Sequence, residues 1–269
     1  MNTHRTTGRH SQRGFTMIEI AIAVGVIGFA LVAIIGILPA GMNSQKDNRE
    51  DTTISQDAPY FLNAIRNGDM GVTPNSVLAQ FVDSITVTTG TATGSTNVTY
   101  LPNELPNDMS IIGLLCTPET DPRPEMAGKT NQVTAIFRAM SGSALQQQGQ
   151  NPLMAFRYQL TVQVVPCYST VIGGTNYSQV QAANTDPNLQ HLQYVANSLH
   201  EVRLKFAWPV IVTNFNTGAY ILGNGRQTYR SLVSSHLEQT NNIQLMPDLP
   251  ELWFFQPLTF STNTQAMNL

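Results

Sequence analysis

From Ile20 to Leu38 the chain runs for 19 residues without a charge or a strongly polar group. As a helix rising 1.5 Å per residue, such a run covers about 28 Å, close to the hydrocarbon thickness of a bilayer. Nothing else in the 269 residues restricts the fold as strongly. One carboxylate, Glu19, stands directly before the run. An acidic group at mid-bilayer is unfavourable by roughly 2.5–3.5 kcal/mol. Either the segment does not insert, or Glu19 has a partner or a task.

The charges around the run are unevenly placed. Residues 1–14 hold Arg5, Arg9 and Arg13 and no acid, which leaves 11 basic and 17 acidic groups for the remainder. A basic leader stays in the cytoplasm and sends the body beyond the apolar run outward. The expected topology is therefore single-pass in the inner (cytoplasmic) membrane, with the N-terminus cytoplasmic and the C-terminal domain periplasmic. An acidic body with only 12% charged residues suits an exported or surface-assembled protein, and it argues against nucleic acid as a partner. A secretory signal peptide fits badly, because the apolar region is too long. No small-x-small cleavage site comes cleanly after it, "LPAGMN" being the nearest approach.

The front of the run explains more. "RGFTMIE", residues 13–19, resembles the class III signal of type IV prepilins: a short basic leader ending in Gly14, then Phe15, with Glu19 the fifth residue after the glycine. The resemblance implies that a prepilin peptidase cuts between Gly14 and Phe15, that the new Phe15 amine is N-methylated, and that Glu19 serves subunit assembly. Membrane lipid and other pilin-like subunits are the partners it implies, with possible extraction into a periplasmic or surface filament. The physical sense is direct. A carboxylate in the first turn is favoured by the helix dipole by about 0.3–1 kcal/mol. It can also pair with the α-ammonium of a neighbouring subunit, which offsets its burial and fixes one stagger between packed helices. Gly25, Gly28 and Gly36 lack GxxxG spacing and read as ordinary membrane-helix glycines. Pro39 is expected to kink or end the helix.

Along the whole chain, the sequence predicts four segments: a cleaved leader over 1–14, a transmembrane and assembly helix over 15–42, a periplasmic continuation over 43–74, and a β-rich domain over 75–269. In the continuation, Ile54, Ala58, Phe61, Leu62 and Ile65 share one helical face. Pro59 predicts an interruption around 53–58, with a restart near Asp57 as N-cap and a stop at Gly68. "SITVTTG" and "STNVTYL" read as a threonine-rich hairpin. "MSIIGLL", "NQVTAIFRAM" and "LMAFRYQLTVQVV" read as strands. In "HEVRLKFAW", Val202, Leu204, Phe206 and Trp208 alternate with Glu201, Arg203 and Lys205, a strand with one buried and one wet face. "GNGRQTYRSLVSSH" reads as a turn and a partner strand. Segments 117–130, 142–152 and 168–190 read as loops. A helix followed by a mostly antiparallel sheet predicts an α+β, pilin-like fold. "LPELWFFQPL" near the C-terminus is either a final segment on the core or an exposed subunit-contact patch.

No catalytic constellation stands out, and no enzyme activity or cofactor is expected. GxSxG, HExxH and the P-loop are missing, and "GNGRQ" has no helix behind it. His191 and His200 are nine apart, and His200 and Glu201 would point to opposite faces of a strand. Glu119, Asp121 and Glu125 could hold calcium, as some pseudopilins do. Pro122 and Pro124 break that segment, and no Gly-centred calcium loop is present, so no metal site is expected. Cys116 and Cys167 each end an apolar run beside a proline. In an extracytoplasmic body they could form a disulfide; the alternative is two buried thiols packing as small apolar groups.

Set beside the resemblance, a body of this size exceeds that of major pilins and the main pseudopilin, which implies a minor subunit or a specialised lineage: a minor pilin or pseudopilin-like subunit of a type IV pilus or type II secretion-like filament. "LPAGMNS" together with "LHEVRLKFAWPV…GNGRQTYRSLVSSHL" resembles the Verru_Chthon cassette protein B group, which implies several pilin-like proteins acting together. The other functional class is a membrane-anchored extracytoplasmic binding protein that uses the signal only for processing.

Overall fold

The computed structural model describes residues 14–67, 77–105, 108–120, 129–141, 155–167, 198–214, 219–240 and 252–256. Gly68, Asp121, Glu125 and His191, with most of the three expected loops, lie outside the described residues. The chain divides into two compact units, Met1–Arg49 and Glu50–Leu269.

The first helix, α1, spans Met17–Asn67 without a break. The expected interruption around 53–58 is not there, and neither Pro39 nor Pro59 ends the helix. Asp57 is accordingly no N-cap; it is a buried mid-helix residue. Packing explains the continuity. Ile54, Ala58, Phe61 and Ile65 are wholly buried on one stripe, whereas Pro59 faces outward. Burying side chains of this size contributes roughly 1.5–3 kcal/mol each, which outweighs the cost of about 3 kcal/mol for one proline in a helix interior.

The body is a six-stranded sheet in the order β2-β1-β3-β4-β5-β6, every neighbouring pair antiparallel. Its strands are β1 (Val82–Thr91), β2 (Gly94–Tyr100), β3 (Thr130–Arg138), β4 (Arg157–Pro166), β5 (Leu199–Asn214) and β6 (Ala219–Ser234). The architecture is the α+β arrangement expected from sequence, and the threonine-rich hairpin is β1–β2. On β5 the period of two holds: Val202, Leu204, Phe206 and Trp208 are buried, and Lys205 between them is exposed. Their partners Val164, Val162 and Leu160 on β4 are buried on the same face. Phe61 of α1 joins this face, its ring centroid 4.7 Å from Phe137, 6.4 Å from Tyr158 and 6.3 Å from Phe206.

Three expectations for the body are corrected. "MSIIGLL" is helical: after a single turn, α2 (Leu78–Phe81), comes α3 (Asp108–Leu115). A short, wholly apolar run has no period to separate a buried strand from a buried helix. Gly113 matters here, because a Cβ on it would lie 2.7 Å from Phe254 and 2.8 Å from Leu252. Those two belong to β8 (Leu252–Gln256), which pairs with β7 (His236–Thr240) in a separate two-stranded sheet. "LWFF" is thus buried against the core, and the exposed-patch reading is overturned: Trp253, Phe254 and Phe255 are each at most 5% exposed. "GNGRQ" is no turn either. Gly225 lies inside β6 opposite Trp208, whose indole occupies the space a Cβ would need, with three ring atoms within 2.5–2.8 Å.

Candidate functional site

Gly14, Phe15 and Thr16 precede the helix and have no regular structure, so the Gly14–Phe15 peptide lies outside the hydrogen-bonded turns. A protease needs its scissile carbonyl accessible, and a helix would engage that carbonyl in its own ladder. Phe15 is 85% exposed, and the space around Gly14 is open. The bond expected to be cut is therefore presented free of the helix.

Thr16 and Glu19 start that helix as a reciprocal pair. The backbone N–H of Thr16 and its hydroxyl both donate to Glu19 Oε2 at 2.8 Å. The Glu19 N–H in turn approaches Thr16 Oγ1 at 3.4 Å. The first helical bond runs from Ile20 N–H to Thr16 O at 3.2 Å. This is a capping box, Thr-x-x-Glu, which satisfies N–H groups that the first turn would otherwise leave unpaired. Sequence reasoning missed it, although the four-residue signal "TMIE" carries it. Glu19 therefore has a task within its own chain.

Past Glu19 the helix is apolar on every side. Ile20, Ile22, Val26, Phe29, Val32 and Ile35 are all exposed, as are the residues between them. This stretch of α1 is long and apolar enough to cross a membrane, and none of it is buried within the molecule. A helix hydrophobic all round belongs in a protein core or a bilayer.

Elsewhere, Cys116 and Cys167 are not joined by a disulfide. Each is buried at the end of a different element, Cys116 just after α3 and Cys167 just after β4. Cys167 N–H is committed to Leu199 O at 2.9 Å. Burial pushes the Cys116 thiol well above its ordinary range, which disfavours the thiolate form. Of the two arrangements left open by the sequence, this is the one with two buried thiols. His200 and Glu201 do face opposite ways: His200 packs its ring on Phe255 at 5.4 Å, and Glu201 accepts from Arg203 Nη2 at 2.6 Å. Among the described residues no three His, Cys, Asp or Glu side chains form a metal-binding group.

One buried polar contact has no counterpart in the sequence reading. Asp57, 1% exposed, accepts from Tyr158 O–H at 2.9 Å and from Met140 N–H at 3.0 Å through Oδ2. It ties α1 to the sheet. A lone acid in an amphipathic stretch gives no signal of it, since its partners lie 83 and 101 residues away.

The N-terminal segment carries a type IV pilin-like class III signal. The family model described as the prokaryotic N-terminal methylation motif matches residues 9–35, which include Gly14, Phe15 and Glu19 and most of the apolar run. No curated protein and no solved structure matches the chain. The signal and the apolar helix together support membrane anchoring, and the motif is that of a structural family of prepilin-processed proteins.

Proposed function

We propose that the protein is a minor pilin-like or pseudopilin-like structural subunit of a membrane-rooted filament. Prepilin peptidase cuts it between Gly14 and Phe15, Phe15 is N-methylated, and α1 assembles with other pilin-like subunits. The carrying observation is the class III signal itself. The cleavage bond sits free of the helix, and Glu19 is held at the third helical position by Thr16. Both partners of the capping box lie beyond the cut, so the mature chain keeps it. Glu19 then has two roles, capping its own helix and offering a charge to the α-ammonium of a neighbouring subunit.

The finer assignment to the Verru_Chthon cassette protein B group rests on the two quoted stretches. It adds that several such subunits act together, anchored in the inner membrane with their bodies in the periplasm.

The two roles of Glu19 separate by substitution. Glutamine is also accepted at the third position of a capping box, but it carries no charge. Glu19→Gln is expected to keep the helix start and lose filament incorporation, as Glu19→Ala does, while membrane insertion persists in both. Incorporation of the glutamine variant at the wild-type level would remove charge pairing from the account. Equal incorporation of the alanine variant would sink the subunit reading.

A further inference from the structure

The face of the six-stranded sheet turned away from α1 carries a polar array that the filament reading does not use. Across all six strands, in register, stand Thr99, Thr86, Thr134, Thr161, Lys205 and Thr228. Thr86 and Thr99 hydroxyls are hydrogen-bonded at 2.9 Å. Neighbouring strands lie about 4.8 Å apart, so the row is regular, but its exposure is not: Thr161 is buried, Thr86 and Thr134 are half-buried, and Lys205 and Thr228 at the β5–β6 end are exposed.

Charge is concentrated on this face. Eleven basic residues lie beyond residue 14, and six of them share it: Arg138, Arg157, Arg203, Lys205, Arg226 and Arg230. Three carboxylates among the described residues oppose them. Asp83 is held by Arg157 Nε at 2.7 Å and Arg138 Nε at 3.0 Å. Glu201 is held by Arg203 Nη2 at 2.6 Å, and Glu119 also acts on Arg203 from the rim. That leaves Lys205, Arg226 and Arg230. Lys205 is exposed, Arg226 donates to the carbonyls of Gly223 and Gly225, and Arg230 is 67% exposed with Glu201 no nearer than 3.9 Å. Thr228 lies directly across from Lys205, and the two arginines stand two residues to either side of it on edge strand β6. At about 3.4 Å per residue the arginines are roughly 14 Å apart along the strand. The chain as a whole is acidic, so net charge conceals this patch.

We propose that this face, centred on Lys205, Arg226, Thr228 and Arg230, binds an acidic polysaccharide. Its acidic groups would lie on the three cations and its hydroxyls on the exposed Thr228 that stands among them. Spaced cations beside neutral donors and acceptors suit a polymer that alternates charge with hydroxyl. Single-stranded nucleic acid is disfavoured, because no aromatic ring stands in these rows for bases to stack on.

The test uses the full chain in detergent micelles with immobilised polygalacturonate and duplex DNA at matched charge, and neutral dextran at the same mass. The expected result is binding to polygalacturonate alone or most tightly, weakening as salt rises from about 50 to 200 mM. The double variant K205Q/R230Q, altered only at well-exposed positions, should retain the wild-type thermal unfolding profile and lose about tenfold in affinity, because two of three cations are gone. Thr228→Val should weaken binding by a smaller factor and leave its salt dependence unchanged. No binding to polygalacturonate, an unchanged affinity in K205Q/R230Q, or tighter binding to duplex DNA would each overturn the proposal.

Discussion

The two ends of α1 are one helix by backbone and two by surroundings. Residues 17–49 are exposed on every side and apolar through most of their length. Residues 50–67 bury one stripe, Ile54, Ala58, Phe61 and Ile65, and leave the remainder polar or open. A side chain such as Ile27 stays 58% exposed. Phe61 has its partners within the body, on β3, β4 and β5. The difference shows that helix continuity and burial have separate causes: the second half is buried by the sheet, and the first is continuous with it without being buried.

If that division holds, damage to the second half should spare the first. The largest effect is expected from Phe61→Ala, which empties the site among Phe137, Tyr158 and Phe206. It should destabilise the body by about 3–5 kcal/mol, read by thermal unfolding of the detergent-solubilised chain, with membrane association unchanged. Loss of membrane association would break the comparison. Asp57→Ala should cost about 3 kcal/mol, because the Tyr158 hydroxyl and the Met140 N–H are left buried without an acceptor. Asp57→Asn keeps an oxygen there and should cost less; equal losses would show that the hydrogen bonds are not the cause.

A smaller effect should appear with pH, confined to the body. Burial drives the His200 imidazole down from 6.5 to about 4, with a hydrogen bond to the Ser235 backbone opposing the shift and the nearby His236 adding to it. The folded state therefore favours neutral His200. Its contribution is full above the unfolded value of 6.5 and is lost as pH falls from there toward 4, up to roughly 2–3 kcal/mol. Stability measured across that window should flatten in His200→Phe. A slope identical to wild type would assign the acid sensitivity elsewhere.

The sequence exposes what local pattern can encode. The apolar run, the class III signal, the alternation of Val202, Leu204, Phe206 and Trp208, and the threonine hairpin are all written within a few neighbouring residues. The features it conceals are set by distant contacts. Pro59 stays helical because Phe61 and its neighbours are buried on strands far along the chain. Gly225 looks like a turn residue, but it makes room for Trp208. The run at 108–115 is apolar throughout and so carries no period. Thr16 is the exception, a local signal that is hidden only while Glu19 is read for its charge alone.

Under the proposed function the chain is cut at its N-terminus and the exposed half of α1 becomes the anchor and assembly helix. Mass spectrometry of the N-terminal peptide of membrane-extracted protein, from cells with an active prepilin peptidase, tests it most directly. The expected product is a mature chain beginning at an N-methylated Phe15. A chain that still begins at Met1, or one cut near Gly41, would contradict it.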